Sequence, residues 1–357
     1  MKKALIAMSG GVDSSLAAKL TMDAGYSCIG CTMRLYENED IGLTDSRTCC
    51  SLDDVADARS VAFSLGMPYY VFNFTDDFRK TVIADFVACY EAGTTPNPCI
   101  ECNIHLKFGK LLERAKILGC DYIVTGHYAR IEHDGEKYLL KKAADTSKDQ
   151  TYVLYGLTQE QLSHLLLPLG GLLKEEVRKL AAEAGFINAG KADSQDICFV
   201  PDGDYGAFLQ RYTGKHYPPG DFIDENGKVL GRHRGIVQYT VGQRRGLGLP
   251  MGRPVYVKQI DPASNTVTVA EDSALYSKTL TADRFNWISG DIPSTPVICC
   301  AKIRYRHKEQ PATVLPLPDG TVRVVFDEPQ RAITPGQSVV LYDGDTVLGG
   351  GRILRAD

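Results

Sequence analysis

Apolar and polar positions follow two different rhythms along this chain. Over the first 125 residues, short apolar runs alternate with stretches whose apolar residues recur every three or four positions. Residues 4–8 (ALIAM) stop at Ser9-Gly10-Gly11, and Val12, Leu16 and Leu20 then follow at intervals of four. That pattern predicts a strand, a glycine turn and a helix. Strand patterns recur near 26–33, at 69–74 (YYVFNF) and at 121–126 (DYIVTG), with helical patterns at 51–65, 76–91 and 104–118. Ser51 and Asp54 are spaced as a capping box for the second helix. Strands alternating with helices predict an α/β fold with a doubly wound parallel sheet. Such sheets bind ligands beyond the carboxyl ends of their strands, so Ser9, Met33, the segment after Phe74, and Gly126 should share one rim.

Helical patterns continue through 150–190, as in Lys174 to Ala184 stopped by Gly185. From about residue 206 the rhythm changes to short alternating strands with Gly and Pro between them, such as PVYVKQI, NTVTVA, VRVVFD and QSVVLYD. Many short strands with turns predict a barrel or small β domain. The expected division is a catalytic α/β domain at 1–205, a small middle domain at 206–275 and a C-terminal β-barrel-like domain at 276–357. A chain of 357 residues is long enough for that number of cores.

Composition adds three constraints. A hydrophobic content of 44% with 24% charged residues is that of a globular protein. The Met1-Lys2-Lys3 start leads into an apolar run too short for a secretory leader. The run LLLPLGGLL at 165–173 is broken by Pro168, Gly170 and Gly171, so no membrane span is expected; the expected location is cytoplasmic. Eleven cysteines in a reducing compartment are thiols, ligands or reaction centres rather than a disulfide framework. Cys28, Cys31, Cys89, Cys120, Cys299 and Cys300 stand among apolar neighbours and read as small buried residues. The formal charge of −4 is uneven: residues 1–205 hold 21 basic and 29 acidic side chains, residues 206–357 hold 19 and 15. A polyanion would engage the back half.

A glycine turn opening a helix presents bare N–H groups to phosphate, helped by the helix dipole. The G-x-x-x-x-G-K-[ST] pattern is absent, since Gly109-Lys110 and Gly190-Lys191 lack the following hydroxyl residue, and the turn holds no G-x-G-x-x-G. It reads Ser9-Gly10-Gly11-Val12-Asp13-Ser14. A carboxylate beside phosphate calls for an intervening cation, which suggests ATP with Mg²⁺. The turn resembles the pyrophosphate loop of the ATP pyrophosphatase superfamily, whose members adenylate a substrate oxygen and release AMP and pyrophosphate.

Two cysteine segments narrow the choice. In TTPNPCIECN (94–103), Pro96 and Pro98 predict an extended segment. Cys102 then lies near the start of the next helix, where the dipole should favour thiolate. Cys198 lies in SQDICFV (194–200). With TGHYAR, KDQTYVL, TVGQRRGLG and IRYRH, in this order, the chain resembles the tRNA-specific 2-thiouridylase family over nearly its full length. The resemblance implies ATP-dependent 2-thiolation of a wobble uridine: O2 of the uracil is adenylated, and a persulfide supplies sulfur to C2. It assigns the persulfide to Cys198, and to Cys102 the second catalytic role. Ala7, Met8, Ser9, Gly10, Gly11, Val12, Asp13, Ser14, Met33 and Gly126 match nucleotide contacts. Asn97, Pro98 and Cys99 match the segment near the target base, and Lys148, Asp149, Gln150, Arg304 and Tyr305 match tRNA contacts. The implied partners are tRNA and a persulfide-carrying sulfur donor, either a cysteine desulfurase or a relay protein. The chemistry agrees: uracil C2 needs an activated oxygen, and a persulfide sulfur leaves when a second thiol replaces it.

One residue departs from the family pattern: Cys99 stands where better-known members carry an acidic side chain. Cys99, Cys102 and Cys198 then form a three-thiolate set of the kind that holds an iron–sulfur cluster, a competing route for the same sulfur transfer. A zinc site lacks a fourth ligand at suitable spacing. Cys49-Cys50 is a second unusual pair. Other readings are an ATP-dependent amidase or ligase of the superfamily, or a non-catalytic RNA-binding or thiol-redox protein. Basic clusters at Arg232-His233-Arg234, Arg244-Arg245 and Arg304-Tyr305-Arg306-His307, interleaved with Tyr239 and Tyr305, suit phosphates and an unstacked base.

Overall fold

The computed structural model describes residues 1–37, 52–191 and 197–357. The Ser51 half of the expected capping box, the Cys49-Cys50 pair, and Asp193 and Asp196 lie outside those residues. The opening unit folds as β1 (Lys3–Ala7), α1 (Val12–Asp23) and β2 (Ser27–Arg34), followed by α2 (Leu52–Ser64), β3 (Tyr69–Asn73) and β4 (Tyr122–Val124). Residues Ala129–His133 (β5) and Tyr138–Lys142 (β6) form a hairpin, and Leu165–Leu166 is a short strand, β7. One parallel sheet runs β3-β2-β1-β4-β7. Central strand β1 is apolar from Ala4 to Ala7 because both faces are covered there. Leu5 joins one core with Phe78, Phe86 and Phe108, whereas Ala4 and Ile6 join another with Leu16 and Val61.

Register places the rim. Ala7 pairs with Cys31, so Met33 lies two residues further along β2; Ile6 pairs with Val124, so Gly126 lies two residues past the end of β4. All three therefore meet at the carboxyl edge, next to the turn that opens α1. Among the described residues, no helix is long and apolar enough to cross a membrane.

The back half has two β units. Strands β8 (Gly220–Ile223), β9 (Val229–His233), β10 (Tyr256–Asp261) and β11 (Thr266–Ala270) form a small sheet around Phe222, Val257, Val267 and Val269. Strands β12 (Tyr276–Trp287), β13 (Val297–Lys302), β14 (Gln310–Pro316), β15 (Val322–Arg331), β16 (Ser338–Asp343) and β17 (Thr346–Ala356) form an antiparallel barrel, closed by the β12–β17 pairing. Its core includes Leu280, Ala301, Val314, Phe326, Val339 and Ile353. The expected division by sequence position is crossed in space. The β5–β6 hairpin, from within residues 1–205, pairs with β17 through Lys141 and Thr346, and Arg130 donates to Asp345 at 2.7 Å.

Tyr239 corrects one expectation. Its ring is 3% exposed and meets Phe222 and His233 edge-on, so it belongs to the middle core and offers no surface to a base. His233 is likewise buried, with Nε2 3.0 Å from the Asn265 carbonyl. Of the six cysteines read as core residues, Cys28, Cys31, Cys89, Cys120 and Cys299 are buried and Cys300 is half-buried.

Candidate active site

The turn between β1 and α1 is shaped by glycine and hydroxyl groups. Gly10 has φ +75°, and a Cβ there would stand 2.4 Å from the Asp54 carbonyl oxygen, so α2 packs directly on the turn. Ser9 N–H donates to Ser14 Oγ at 3.2 Å, and the Ser14 and Ser15 hydroxyls both donate to the Gly11 carbonyl, at 3.0 and 3.1 Å. Gly11 caps α1 without a side-chain hydrogen bond. The first N–H groups of α1 therefore face the rim without a capping side chain, which is the arrangement that suits an anion. Gly126 closes the other side; a Cβ there would lie 2.8 Å from both the Asp13 carbonyl carbon and the Ser14 nitrogen.

Asp13 changes the expected electrostatics. Lys174 Nζ reaches its two carboxylate oxygens at 2.7 and 2.8 Å, and the Tyr128 hydroxyl donates to Oδ1 at 2.8 Å. The Lys174 side chain is 9% exposed. An ammonium of the chain itself thus stands beside this carboxylate. Beneath the turn, Asn188 donates to the Gly10 carbonyl and to Ser15 Oγ, both at 2.9 Å, and Lys191 reaches Asp54 at 2.5 Å and Asp57 at 2.7 Å. Sequence reasoning missed Lys174, Tyr128 and Asn188. Tyr128 lay within the TGHYAR motif, but nothing near Lys174 or Asn188 signals that each folds back onto the turn from more than 150 positions away.

The cysteine segment differs from its expectation. The extended stretch ends at Asn97, whose side chain accepts from Cys99 N–H at 3.2 Å, and the helix begins at Pro98 in the favoured first position. It runs without a break to Ile117, widened into a π-helix over Cys102–Lys110. Cys102 is therefore one turn inside the helix and buried, and burial pushes its thiol up to about 11. The expected dipole-stabilised thiolate at Cys102 is not what the fold provides. Cys99 instead occupies the exposed first turn. Cys198 is half-buried against the core that holds Cys102, and its carbonyl accepts from the Tyr36 hydroxyl at 2.8 Å. Among the described residues, no three His, Cys, Asp or Glu side chains gather as a metal-holding group. Cys99, Cys102 and Cys198 do not form a ready ligand set for an iron–sulfur cluster. His127 accepts from or donates to Thr125 Oγ1 at 2.8 Å, and burial holds it neutral, well below its ordinary pKa.

The residues matched to tRNA contacts separate into two kinds. Asp149 and Gln150 are turned inward: Asp149 accepts from Ala143 N–H at 3.0 Å and from Thr151 Oγ1 at 2.6 Å, and Gln150 Oε1 accepts from Tyr128 N–H at 2.8 Å. Arg304 donates to the backbone carbonyls of Arg331 and Ala332. Tyr305 and Arg306 are exposed and Lys148 is half-buried, and the Tyr305 hydroxyl donates to the Asp149 carbonyl at 3.2 Å. Gly242, in the TVGQRRGLG segment, packs so closely on Ala332 that an added Cβ would stand 2.9 Å from that side chain and 3.9 Å from Arg304. The two basic loops, 240–248 and 304–308, are neighbours.

Residues 2–202 match the family model described as a tRNA methyl transferase HUP domain, residues 206–271 a tRNA methyl transferase PRC-barrel domain, and residues 277–353 an aminomethyltransferase beta-barrel domain. The chain is 54% identical to a tRNA-specific 2-thiouridylase of Acetivibrio thermocellus, covering 99% of both chains. It is 52% identical to that of Symbiobacterium thermophilum, over 99% of this chain and 93% of the relative. The corresponding protein of Clostridioides difficile is 49% identical over 99% of both.

Proposed function

The chain belongs to the tRNA-specific 2-thiouridylase family, and from that premise we propose how its own residues carry out ATP-dependent 2-thiolation of a wobble uridine. The observation that carries the reading is the uncapped amino end of α1 beside Asp13, at the carboxyl rim that Met33 and Gly126 share. The N–H groups of Gly10 to Ser14 bind the phosphates of ATP, while Met33 and Gly126 line the nucleotide. Attack of the uracil O2 on the α-phosphorus expels pyrophosphate and leaves AMP on the base. Lys174 neutralises Asp13 and so keeps the carboxylate from repelling that charge.

Sulfur transfer then needs two thiols. Cys198 receives a persulfide from a sulfur-carrying donor protein, and its terminal sulfur attacks C2. AMP departs with O2, and the Cys102 sulfur takes the place of the transferred one on Cys198, leaving a Cys102–Cys198 disulfide that an external thiol reduces. The Cys102 thiol must give up its proton before that step. Its burial keeps it as a thiol between turnovers, which limits oxidation. No step is routed through a cluster.

The test is nucleoside mass spectrometry of tRNA treated with ATP, a persulfide donor and the enzyme. Wild type should form 2-thiouridine, and Cys102→Ala and Cys198→Ala should form none while still releasing pyrophosphate. Thiolation by Cys198→Ala would end the two-cysteine reading. Cys99→Ser should keep most of the turnover, and its loss together with protein-bound iron would favour the cluster route.

A further inference from the structure

The segment Thr95–Cys102 is gripped at both ends by the C-terminal barrel. At one end, Gln337 Nε2 donates to the carbonyls of Thr95 and Pro96, at 2.9 and 3.2 Å, and Thr95 N–H donates to the Pro335 carbonyl at 2.9 Å. Gly336 makes the approach feasible: with φ +89°, a Cβ there would stand 2.8 Å from the Thr95 nitrogen. At the other end, Arg352 donates to Glu101 Oε1 at 2.9 Å, one residue before Cys102. The same guanidinium holds Asp85 through two hydrogen bonds of 2.9 and 2.7 Å and contacts Cys89 Sγ at 3.3 Å. Arg352, Asp85 and Glu101 are each less than a fifth exposed.

These contacts come from one small patch of the barrel. Gln337 precedes β16, Arg352 lies on β17, and Ile353 N–H donates to the Gln337 carbonyl at 2.8 Å. Ser338 pairs directly with Arg352. Two adjacent strands therefore hold two points about six residues apart on the segment between them. The mostly buried, two-toothed pair with Asp85 fixes the guanidinium itself in place and orientation, and one further hydrogen bond ties Glu101 to it. Glu101 Oε2 is also 3.2 Å from His105 Nε2, so the grip extends one turn into the widened part of the helix.

We propose that Gln337 and Arg352 are positioning residues for sulfur transfer: the barrel sets where Asn97 and Cys102 stand relative to the activated base. Each acts through the segment it holds. The inference rests on Cys102 taking part in the chemistry, as proposed above. Placement errors of about 1 Å at a reacting group cost on the order of a hundredfold in rate, so loosening either tooth should slow sulfur transfer and leave nucleotide chemistry on the other elements largely intact.

The experiment uses full-length Gln337→Leu, Glu101→Gln and Arg352→Lys, with Arg352→Met as the severe case. Glu101→Gln leaves the Arg352–Asp85 pair in place, so it remains informative should Arg352→Met fail to fold. Three readouts are taken on each: 2-thiouridine formed in a single turnover, ATP-dependent pyrophosphate release, and the alkylation rate of Cys102 measured by peptide mass spectrometry. Expected is a single-turnover loss of roughly tenfold or more for Gln337→Leu and Glu101→Gln, with pyrophosphate release near wild type and faster Cys102 alkylation. Arg352→Lys should recover part of the rate lost in Arg352→Met. Wild-type transfer rates and unchanged alkylation in both milder variants would overturn the proposal. Alkylation needs no chemistry on tRNA, so failure of the brace is distinguishable from failure of the Cys102 assignment, which would show as turnover by Cys102→Ala.

Discussion

Asp13 is the residue whose surroundings say most about how the nucleotide turn works. Its side chain keeps 30% of its surface open while its partner Lys174 is 9% exposed, so the pair is open on the carboxylate side, next to the turn. Removing Asp13 takes a carboxylate partner from a nearly covered ammonium, and removing Lys174 leaves the Asp13 charge without that ammonium beside the place where phosphate must sit. Each change damages the same step for a different reason. Asp13→Asn and Lys174→Met should therefore both depress pyrophosphate release strongly, and the double variant should be little worse than either single one, as expected for groups that act as a unit. Pyrophosphate assays on the four proteins of the cycle decide this. Losses that simply multiply would show that the two residues act independently. Affinity for tRNA should stay unchanged in all four, because neither residue belongs to the basic loops of the back half.

Elements bring these residues together, and the glycines show how closely. A Gly126→Ala methyl would press on the Asp13–Ser14 backbone at 2.8 Å, an overpacking of the sort that costs about 1–3 kcal/mol. The expected result is a lower melting temperature and a raised KM for ATP in pyrophosphate release. Gly171→Ala, where nothing lies within 4 Å of the added carbon, is the control and should match wild type. A Gly126→Ala enzyme with wild-type ATP dependence would show that β4 does not close the turn. The β1–turn–α1 unit was legible in the sequence because its periodicity, its glycines and its chemistry are all local. The start of the cysteine helix was not. Pro96 and Pro98 look alike to a rule about proline, yet Pro96 sits in the extended stretch and Pro98 opens a helix, because Asn97 between them supplies the cap. That one-turn difference moves Cys102 from an exposed helix end into the core. The β5–β6 hairpin was equally hidden, since pairing with β17, some 200 residues later, leaves no mark on its own pattern.

At the scale of the whole molecule, the surplus of positive charge in the back half becomes a surface only through the fold. Packing of Gly242 against Ala332 puts loop 240–248 beside loop 304–308, and Arg244, Arg245 and Arg306 are exposed with no ion pair to a described residue. Arg304 reads like its neighbours in the sequence but has its guanidinium committed to the carbonyls of Arg331 and Ala332, and burial lowers its pKa. The four arginines should therefore behave differently in a salt titration of tRNA binding. Each outward arginine that neutralises a phosphate releases counterions, so its loss should reduce the slope of log K against log salt by up to about one unit. Arg306→Ala alone should lower the slope by about that much, and adding Arg244→Ala and Arg245→Ala should lower it further, with the melting temperature barely moved. Arg304→Ala should do the reverse, taking the guanidinium from the Arg331 and Ala332 carbonyls while Ala332 keeps the Thr334 hydroxyl as a donor, lowering the melting temperature and changing the slope little. Should Arg304→Ala flatten the salt dependence while Arg306→Ala leaves it intact, the inward arginine would be the one that reaches RNA, and loop 304–308 would have to open on binding.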